Sequence, residues 1–320
     1  MSWFSFHFQD FSVSFLSILF EGIPFLLLGS LVSGLIDAFV PSETLVKILP
    51  KNGALAICLS GLLGGIFPMC ECGSVIVVRR FIKKGLPVSA AVTYMLASPI
   101  VNPIVALSTF TAFHGQRPWE MVSLRMIIGF VLAVAVGFII RQIPVAHILQ
   151  PEVIAGLKGN KRTGLRISAQ PEETDESLEL NAGNAFGRKL LRTVQSSTSD
   201  FLDVALFLVI GAAIASVFNT SVNQQILQPL AMSAPLSILT MMGLRFMLSL
   251  CSTSDAFIAA SFRSFSFASK LAFLVFGAMF DLKLIFLYQI VFRRRFVIFL
   301  GIGLFIAVVL VCLQVSTTTQ

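Results

Sequence analysis

Two cysteines flank a glutamate in an otherwise apolar stretch of this sequence, at Cys70 and Cys72. In an unbroken helix, side chains two residues apart point about 200° away from each other, so the two thiols could not face one ligand. Pro68 removes a backbone donor and Gly73 weakens the helix on the other side, which predicts an unwound segment where both thiols converge. Thiolates suit soft metals and metalloids, so we predict a substrate site with Cys70 and Cys72 as metal ligands and Glu71 beside them. A kinked packing helix with two buried thiols is the alternative.

A second broken helix is predicted at the sequence SPIVNP, which ends at Pro103. Pro99 and Pro103 free backbone carbonyl groups, and the side chain of Asn102 can donate and accept hydrogen bonds across the gap. Irregular backbone at membrane depth is tolerated where it is buried in protein or lines a cavity. We therefore predict Asn102 as a substrate-binding residue, with a purely structural kink as the alternative.

Charged residues also interrupt apolar sequence, and intramembrane charges usually mark functional sites. Glu21 is predicted to be a proton-coupling carboxylate, although a carboxylate at a helix end fits the same position. Asp255 is predicted to line the substrate site, with Arg245 as its neutralising partner. Asp281 and Lys283 are expected to pair with each other or with the opposite half of the chain.

The composition sets the class of protein that must position these residues. Of the 320 residues, 56% are apolar and 12% are charged, against about 45–50% and 25% in ordinary globular proteins. This balance excludes a soluble enzyme, a disordered protein and a secreted disulfide scaffold. We predict an all-α integral membrane protein.

Eight apolar segments are comparable in length to a membrane-spanning helix, which needs about 20 residues. They are Val13–Val40, Gly53–Val78, Leu86–Phe113, Met121–Ile140, Phe201–Phe218, Pro235–Ser249, Leu271–Val291 and Phe296–Leu313. The prediction is a first membrane half at 1–141, a polar cytoplasmic linker at 142–199 and a second membrane half at 200–320. The linker has soluble composition and is expected to be a flexible tether.

The two halves resemble each other in sequence. At an offset of 181 residues, MCECGSVIVVRRF aligns with LCSTSDAFIAASF, which pairs Cys70 with Cys251 and Ser74 with Asp255. The alignment predicts that Cys251 meets Cys70 and Cys72 in one substrate site. Four spans in each half would make the repeats parallel, whereas a re-entrant segment in each half would invert them.

Basic residues orient the spans, because loops rich in Lys and Arg stay in the cytoplasm. The loop at 79–84, the linker, and the stretch with Arg263 and Lys270 are predicted to be cytoplasmic, with both termini inside and the protein in the cell membrane. The cluster at Arg293–Arg295 would then lie outside, unless a later segment is re-entrant.

The motifs also resemble a known family. PMCECGSVIVVRRFIKKGLPVSAAVTYMLASPIVNP, followed by CSTSDAF and GAMFDLK, is similar to the ArsP/YraQ-type predicted permeases. The resemblance implies efflux of trivalent organoarsenicals through the cytoplasmic membrane. It assigns the Pro-x-Cys-x-Cys-Gly core of that family to Pro68, Cys70, Cys72 and Gly73. Glu71 stands where the family has a small residue, and a carboxylate favours a harder or cationic ligand such as a divalent metal.

The resulting prediction is a secondary-active efflux permease for a thiophilic metal or metalloid, not an enzyme and without a cofactor. The sequence has no GxxxxGK[ST] motif for ATP. Expected partners are a small-molecule or ion substrate and membrane lipid, without nucleic acid, and a homo-oligomer stays open. Two alternatives remain: a membrane thiol–disulfide oxidoreductase that uses Cys70 and Cys251, and a scaffold subunit of a membrane complex.

Overall fold

A computed structural model describes residues 8–39, 52–66, 69–151, 153–154, 185–221 and 233–318. Thirteen helices lie in these ranges. They are α1 (Phe8–Phe39), α2 (Gly53–Ile66), α3 (Glu71–Lys83), α4 (Val88–Ala97), α5 (Pro103–Ala112), α6 (Pro118–Arg141), α7 (Val145–Ile148), α8 (Ala185–Ser221), α9 (Ala234–Leu248), α10 (Asp255–Ser261), α11 (Phe267–Met279), α12 (Leu282–Tyr288) and α13 (Arg294–Thr318).

The predicted class, an all-α integral membrane protein, is confirmed. Four helical segments are long and apolar enough to cross a membrane, and shorter apolar helices accompany them. The long segments are Gln9–Val32, Pro118–Arg141, Phe267–Tyr288 and Arg294–Thr318. Each of the eight predicted apolar segments overlaps one or two of the helices.

The order of helices repeats between the two halves. Each half has a long helix, a shorter helix, a break, a short helix, a turn, two helices joined by a second break, and a final long helix. Side chains cap the helices at the second break in both halves. The Asn102 Oδ1 atom accepts from Ile104 N at 2.9 Å before α5, and the Asp281 Oδ1 atom accepts from Leu284 N at 2.8 Å before α12.

The helices α4 and α5 cross the bundle one after the other, and α6 returns beside them. Gly137 of α6 packs against the start of α4 at Ser89, and Gly129 packs against Ile100 in the break. The rings of Phe110 and Trp119 lie 4.9 Å apart where α5 ends and α6 begins. We call the end of the bundle with the 84–87 turn and the last turn of α6 the basic end, and the end with the 113–117 turn the opposite end.

The helices α2 and α3 form a hairpin that enters and leaves at the basic end, and we call it hairpin 1. Gly53 at the start of α2 packs against Arg141, and Gly64 near its end packs against Ser98 in the middle of the bundle. The helix α3 then returns from Glu71 to the 84–87 turn. The predicted segment Gly53–Val78 is therefore a re-entrant hairpin in the bundle and not a straight span.

The helices α9 and α10 form a second hairpin, hairpin 2, which enters from the opposite end. Ser237 Oγ of α9 lies 2.7 Å from Ser269 Oγ near the start of α11, and Lys270 Nζ donates to Gln116 Oε1 at 2.9 Å. After the tip at 249–254, α10 returns to the same end, where Gln116 Nε2 donates to Ala260 O at 3.4 Å.

The two halves are therefore inverted relative to each other, which decides between the two arrangements that the sequence left open. The long helices α1 and α8 show the same inversion, because they run antiparallel to each other. Gly22 packs against Leu208, whereas the earlier residue Ile18 packs against the later residues Ala212 and Ala215. An odd number of crossings plus one re-entrant hairpin in each half produces this inversion.

The arrangement corrects the predicted grouping of basic residues. Arg263 and Lys270 lie in and next to the turn at the opposite end, whereas Arg79–Lys84 lie at the basic end. Arg293 N donates to Ile148 O at 2.9 Å, which places the cluster Arg293–Arg295 at the basic end. The long helix α8 begins at Ala185, within the predicted linker at 142–199, and residues 155–184 lie outside the described part of the chain.

Candidate functional site

The tips of the two hairpins meet in the middle of the bundle. Cys70 caps the N-terminus of α3, and its Sγ atom accepts from Gly73 N at 3.4 Å. Gly73 also lets α1 approach closely, because a Cβ atom on Gly29 would lie 2.8 Å from Gly73 Cα. The cap and the glycine pair place the Cys-Glu-Cys sequence at the tip of hairpin 1, facing hairpin 2.

Three cysteines from the two halves line one small cavity. Its volume is about 10 Å³, which is room for about one water molecule. The side chains that line it from the two tips and the neighbouring break are Cys70, Glu71, Cys72, Ser249, Cys251 and Lys283, and Ile18, Gly22 and Leu208 complete it. All three thiols are buried, and none of them forms a disulfide. The structure thus brings together the three thiols that the repeat predicted to meet.

Six buried charged side chains form one cluster, which begins at the cavity with Glu71 and Lys283 and continues beyond it. They are the carboxylates of Glu71, Asp255 and Asp281 and the cations of Arg125, Arg245 and Lys283. Each has a side-chain exposure of 4% or less. Lys283 Nζ lies 3.0 Å from Glu71 Oε1 and 3.4 Å from Asp281 Oδ2. An ion pair thus joins the tip of hairpin 1 to the start of α12 in the second half.

The cluster continues as an alternating chain of charges toward α6. Arg245 lies 3.5 Å from Asp281 and 3.8 Å from Asp255, measured between the closest nitrogen and oxygen atoms. Arg125 NH2 then donates to both carboxylate oxygens of Asp255 at 3.1 and 3.0 Å. Three negative and three positive charges leave the cluster neutral, which matters because an unpaired buried charge costs several kcal/mol.

The chain of charges links the two halves at two places. Glu71 and Arg125 belong to the first half and the other four residues to the second. Ser252 strengthens both links, because its hydroxyl donates to Glu71 Oε2 at 3.1 Å and its carbonyl accepts from Arg125 NH2 at 3.1 Å. Any motion that separates the halves at the centre must break these ion pairs.

Arg125 is the residue that our reasoning from the sequence missed. It lies in the apolar segment Met121–Ile140, it is 1% exposed, and it also donates to Thr109 Oγ1 at 2.7 Å. A single arginine within an apolar span is itself a signal, because such a charge is expensive unless it has a buried partner. That partner, Asp255, is separated from it by 130 residues.

The other predicted residues fall into three groups. Asn102 lies in the predicted second break, where its side-chain oxygen caps α5, and Pro103 occupies the first turn of that helix. Pro99 lies in the same break. Pro68 and the side chain of Glu21 lie outside the described part of the structure. Cys58 and Cys312 lie on α2 and α13, away from the cavity.

The described residues offer no group of three or more His, Cys, Asp or Glu side chains placed to hold one metal ion. The three thiols face a common cavity without surrounding one point. The arrangement is therefore not that of a resident structural metal site, which closes four ligands around its ion. A cargo that binds and leaves needs weaker ligation than such a site provides.

Polar links between the halves also lie at both ends of the bundle. At the basic end, Gln150 Nε2 donates to Phe292 O at 3.1 Å, and Leu149 and Phe292 form a β-bridge. At the opposite end, Gln116 contacts Lys270, as described above. The cavity therefore lies between halves that contact each other at both ends of the bundle.

Comparison with known proteins identifies relatives along almost the whole chain. Residues 7–316 match the family ArsP_1, described as "Predicted permease". The chain is 39% identical over 298 residues to "UPF0718 protein YcgR" of Bacillus subtilis (strain 168), covering 92% of this chain and 93% of that protein. It is 32% identical over 304 residues to a "Putative two-component membrane permease complex subunit" of Streptococcus mutans serotype c (strain ATCC 700610 / UA159), covering 94% and 93%. No solved structure matches the chain.

Proposed function

The chain belongs to the ArsP_1 family of predicted permeases, and we propose that it is a secondary-active efflux permease for a thiophilic metal or metalloid species. Its substrate site is the cavity between the tips of hairpins 1 and 2. The observation that carries this proposal is the convergence on that cavity of three buried thiols from the two halves, none of which forms a disulfide. Thiol ligands select soft cations and trivalent metalloids over hard ions.

The geometry around the cavity supports a carrier with alternating access. Inverted repeats with broken helices near the midplane are typical of secondary transporters, in which the halves rock around a central site. Here, the two tips supply the thiols, Glu71 of hairpin 1 and Lys283 of α12 supply the charges, and contacts at both ends hold the halves together. Transport would open one end at a time, with Cys70 and Cys72 on one half and Cys251 on the other.

The test of this function is a panel of substrates. A metal-sensitive bacterial host that expresses the protein should accumulate less of one class of soft metal or trivalent arsenical than the same host with an empty vector. Accumulation measured by mass spectrometry identifies that class. Equal accumulation across soft metals, inorganic arsenite and organoarsenicals, with the protein present in the membrane, would contradict the proposal.

The thiol–disulfide oxidoreductase remains the alternative for the same cysteines. It requires a disulfide between Cys70 and Cys251 in part of its cycle, and both residues line the one cavity. We favour the permease because Cys72 and Glu71 also line it, which a two-cysteine relay does not require. The cysteine substitutions in the Discussion distinguish the two functions.

A second membrane subunit is a further proposed partner. The relative from Streptococcus mutans carries the name of a subunit of a two-component membrane permease complex. We propose that this chain forms a comparable complex, in which it also acts as a scaffold subunit. The described structure contributes an apolar surface for such contacts, with exposed side chains along α6 and α13.

The orientation in the membrane is also a proposal. The basic end carries Arg79, Arg80, Lys83, Lys84, Arg141 and Arg293–Arg295, whereas Arg117, Arg263 and Lys270 lie at the opposite end. Because basic residues favour the cytoplasmic side, we propose that the basic end and the linker face the cytoplasm. The helix α13 runs away from the basic end, so Thr318 would face outward, in place of the predicted cytoplasmic C-terminus.

We predict a labelling pattern from this orientation. Single cysteines at Pro87 and Arg294, in a background without native cysteines, should be protected from a membrane-impermeant maleimide in intact cells. Cysteines at Ser264 and Thr317 should react with the same reagent, because all four positions are exposed and only their side of the membrane differs. Lysed cells, in which all four should react, are the control. Protection of Ser264 together with Pro87 would contradict the inverted arrangement.

A further inference from the structure

The ammonium group of Lys283 lies in a cage of four oxygen atoms. Its Nζ atom contacts Glu71 Oε1 at 3.0 Å, Ser249 O at 3.0 Å, Leu250 O at 2.8 Å and Asp281 Oδ2 at 3.4 Å. The side chain is 4% exposed. An ammonium group has three N–H donors, so these acceptors satisfy it fully.

The fold itself supplies the oxygens of this cage. Ser249 caps the C-terminus of α9 in a left-handed conformation, with φ 49°, and the carbonyl groups at a helix C-terminus lack intrahelical donors. Such carbonyls also carry the negative end of the helix dipole. Glu71 adds a carboxylate from the tip of hairpin 1, and Asp281 adds one from the break before α12. Unwound carbonyls and helix C-termini are the groups that coordinate monovalent cations at the centre of transporters.

The charge balance of the cluster favours a cation at this place. Apart from Lys283, the cluster contains three carboxylates and two guanidinium groups. Arg125 and Arg245 contact Asp255, and Arg245 also contacts Asp281. Without Lys283, one negative charge near Glu71 would stay buried and uncompensated, which is strongly unfavourable.

We propose that Lys283 is a tethered counter-ion in a monovalent-cation site formed by both hairpin tips, and that the site binds a free small cation once the side chain is removed. The ammonium holds the two tips together at the cavity. The release of Lys283 from Glu71 is the step that lets the two tips separate during transport, and this part of the proposal rests on the function proposed above.

The test uses purified full-length protein in detergent, without any transport substrate. Lys283→Ala should lower the Tm by about 10 °C, because one buried charge loses its partner. Methylammonium chloride should restore at least half of this loss, since it matches the end of the lysine side chain and keeps three N–H donors. Tetramethylammonium chloride at the same concentration has the charge without the donors and should restore none of it. The wild-type Tm should respond equally to the two salts.

Two variants provide the controls. Glu71→Gln with Lys283→Ala removes one charge of each sign, so this double variant should be more stable than Lys283→Ala and should not respond to methylammonium. Lys270→Ala removes a lysine that hydrogen-bonds to Gln116 at the opposite end, and its Tm should respond equally to the two salts.

The outcomes separate this site from the transport function. An unchanged Tm for Lys283→Ala, or an equal response to both ammonium salts, would overturn the proposal. If Lys283→Ala does not reach the membrane, recovery in the double variant supports the counter-ion, and failure of both variants overturns it. Because the assay contains no substrate, a restored Tm supports the monovalent-cation site even if the substrate panel identifies no cargo.

Discussion

Serine in place of Cys70, Cys72 or Cys251 is expected to abolish efflux, returning cellular accumulation of the cargo to the level of a vector control. Each thiol lines the cavity between the hairpin tips. A serine hydroxyl is a hard ligand with little affinity for soft cations or trivalent metalloids. The effect should exceed tenfold in the rate of efflux for each single substitution, while the amount of protein in the membrane stays unchanged.

Serine at Cys58 or Cys312 provides the matched control. These residues lie on α2 and α13, outside the cavity, and their substitution should leave the efflux rate within about twofold of the unsubstituted protein. The same set distinguishes the oxidoreductase. If Cys72→Ser is silent while Cys70 and Cys251 are found disulfide-linked in membranes, the permease function of this site is wrong.

Asp255→Ala is expected to destabilise the protein by about 3–5 kcal/mol, because it leaves Arg125 and Arg245 buried beside a missing carboxylate. Both oxygens of Asp255 accept from Arg125 NH2, and Arg245 Nε lies 3.8 Å away. Thermal unfolding in detergent and the level of protein in the membrane measure the loss. Arg125→Ala alone should cost a similar amount, since Asp255 then loses its bidentate partner.

The double variant Arg125→Ala with Asp255→Ala should recover part of the loss, because the remaining charges balance again. An exposed pair supplies the control. Arg117 and Glu120 lie 3.2 Å apart with exposures of 62% and 48%, so Arg117→Ala should change stability by less than about 1 kcal/mol. Additive losses in the double variant would show that the buried pair does not couple the two halves.

Several features of this protein could be predicted from the sequence because they are local. The apolar content of each segment identifies a membrane protein whatever its neighbours are. The Cys-Glu-Cys sequence beside a glycine marks a broken helix, and the offset between the halves identifies Cys251 as the counterpart of Cys70. Asp281 and Lys283 were found because charges are rare in apolar sequence.

Only the tertiary structure shows which apolar segments cross the bundle and which turn back within it. A re-entrant hairpin and a crossing helix are buried in the same apolar surroundings, so hydropathy alone does not distinguish them. The segment Gly53–Val78 reads as one span, whereas contacts of Gly53 with Arg141 and of Gly64 with Ser98 show that it turns back. Once both hairpins turn back, the basic cluster at Arg293–Arg295 joins the other basic residues at one end.

The pairing of the buried charges was also decided by the tertiary structure. Glu71 and Lys283 are separated by 212 residues, and Arg125 and Asp255 by 130. Local sequence determines which charges lie in apolar segments, but packing determines which opposite charge lies within hydrogen-bonding distance. The sequence by itself therefore determined the membrane class and most of the residues at the centre, and the inverted packing of the two halves determined which of them meet.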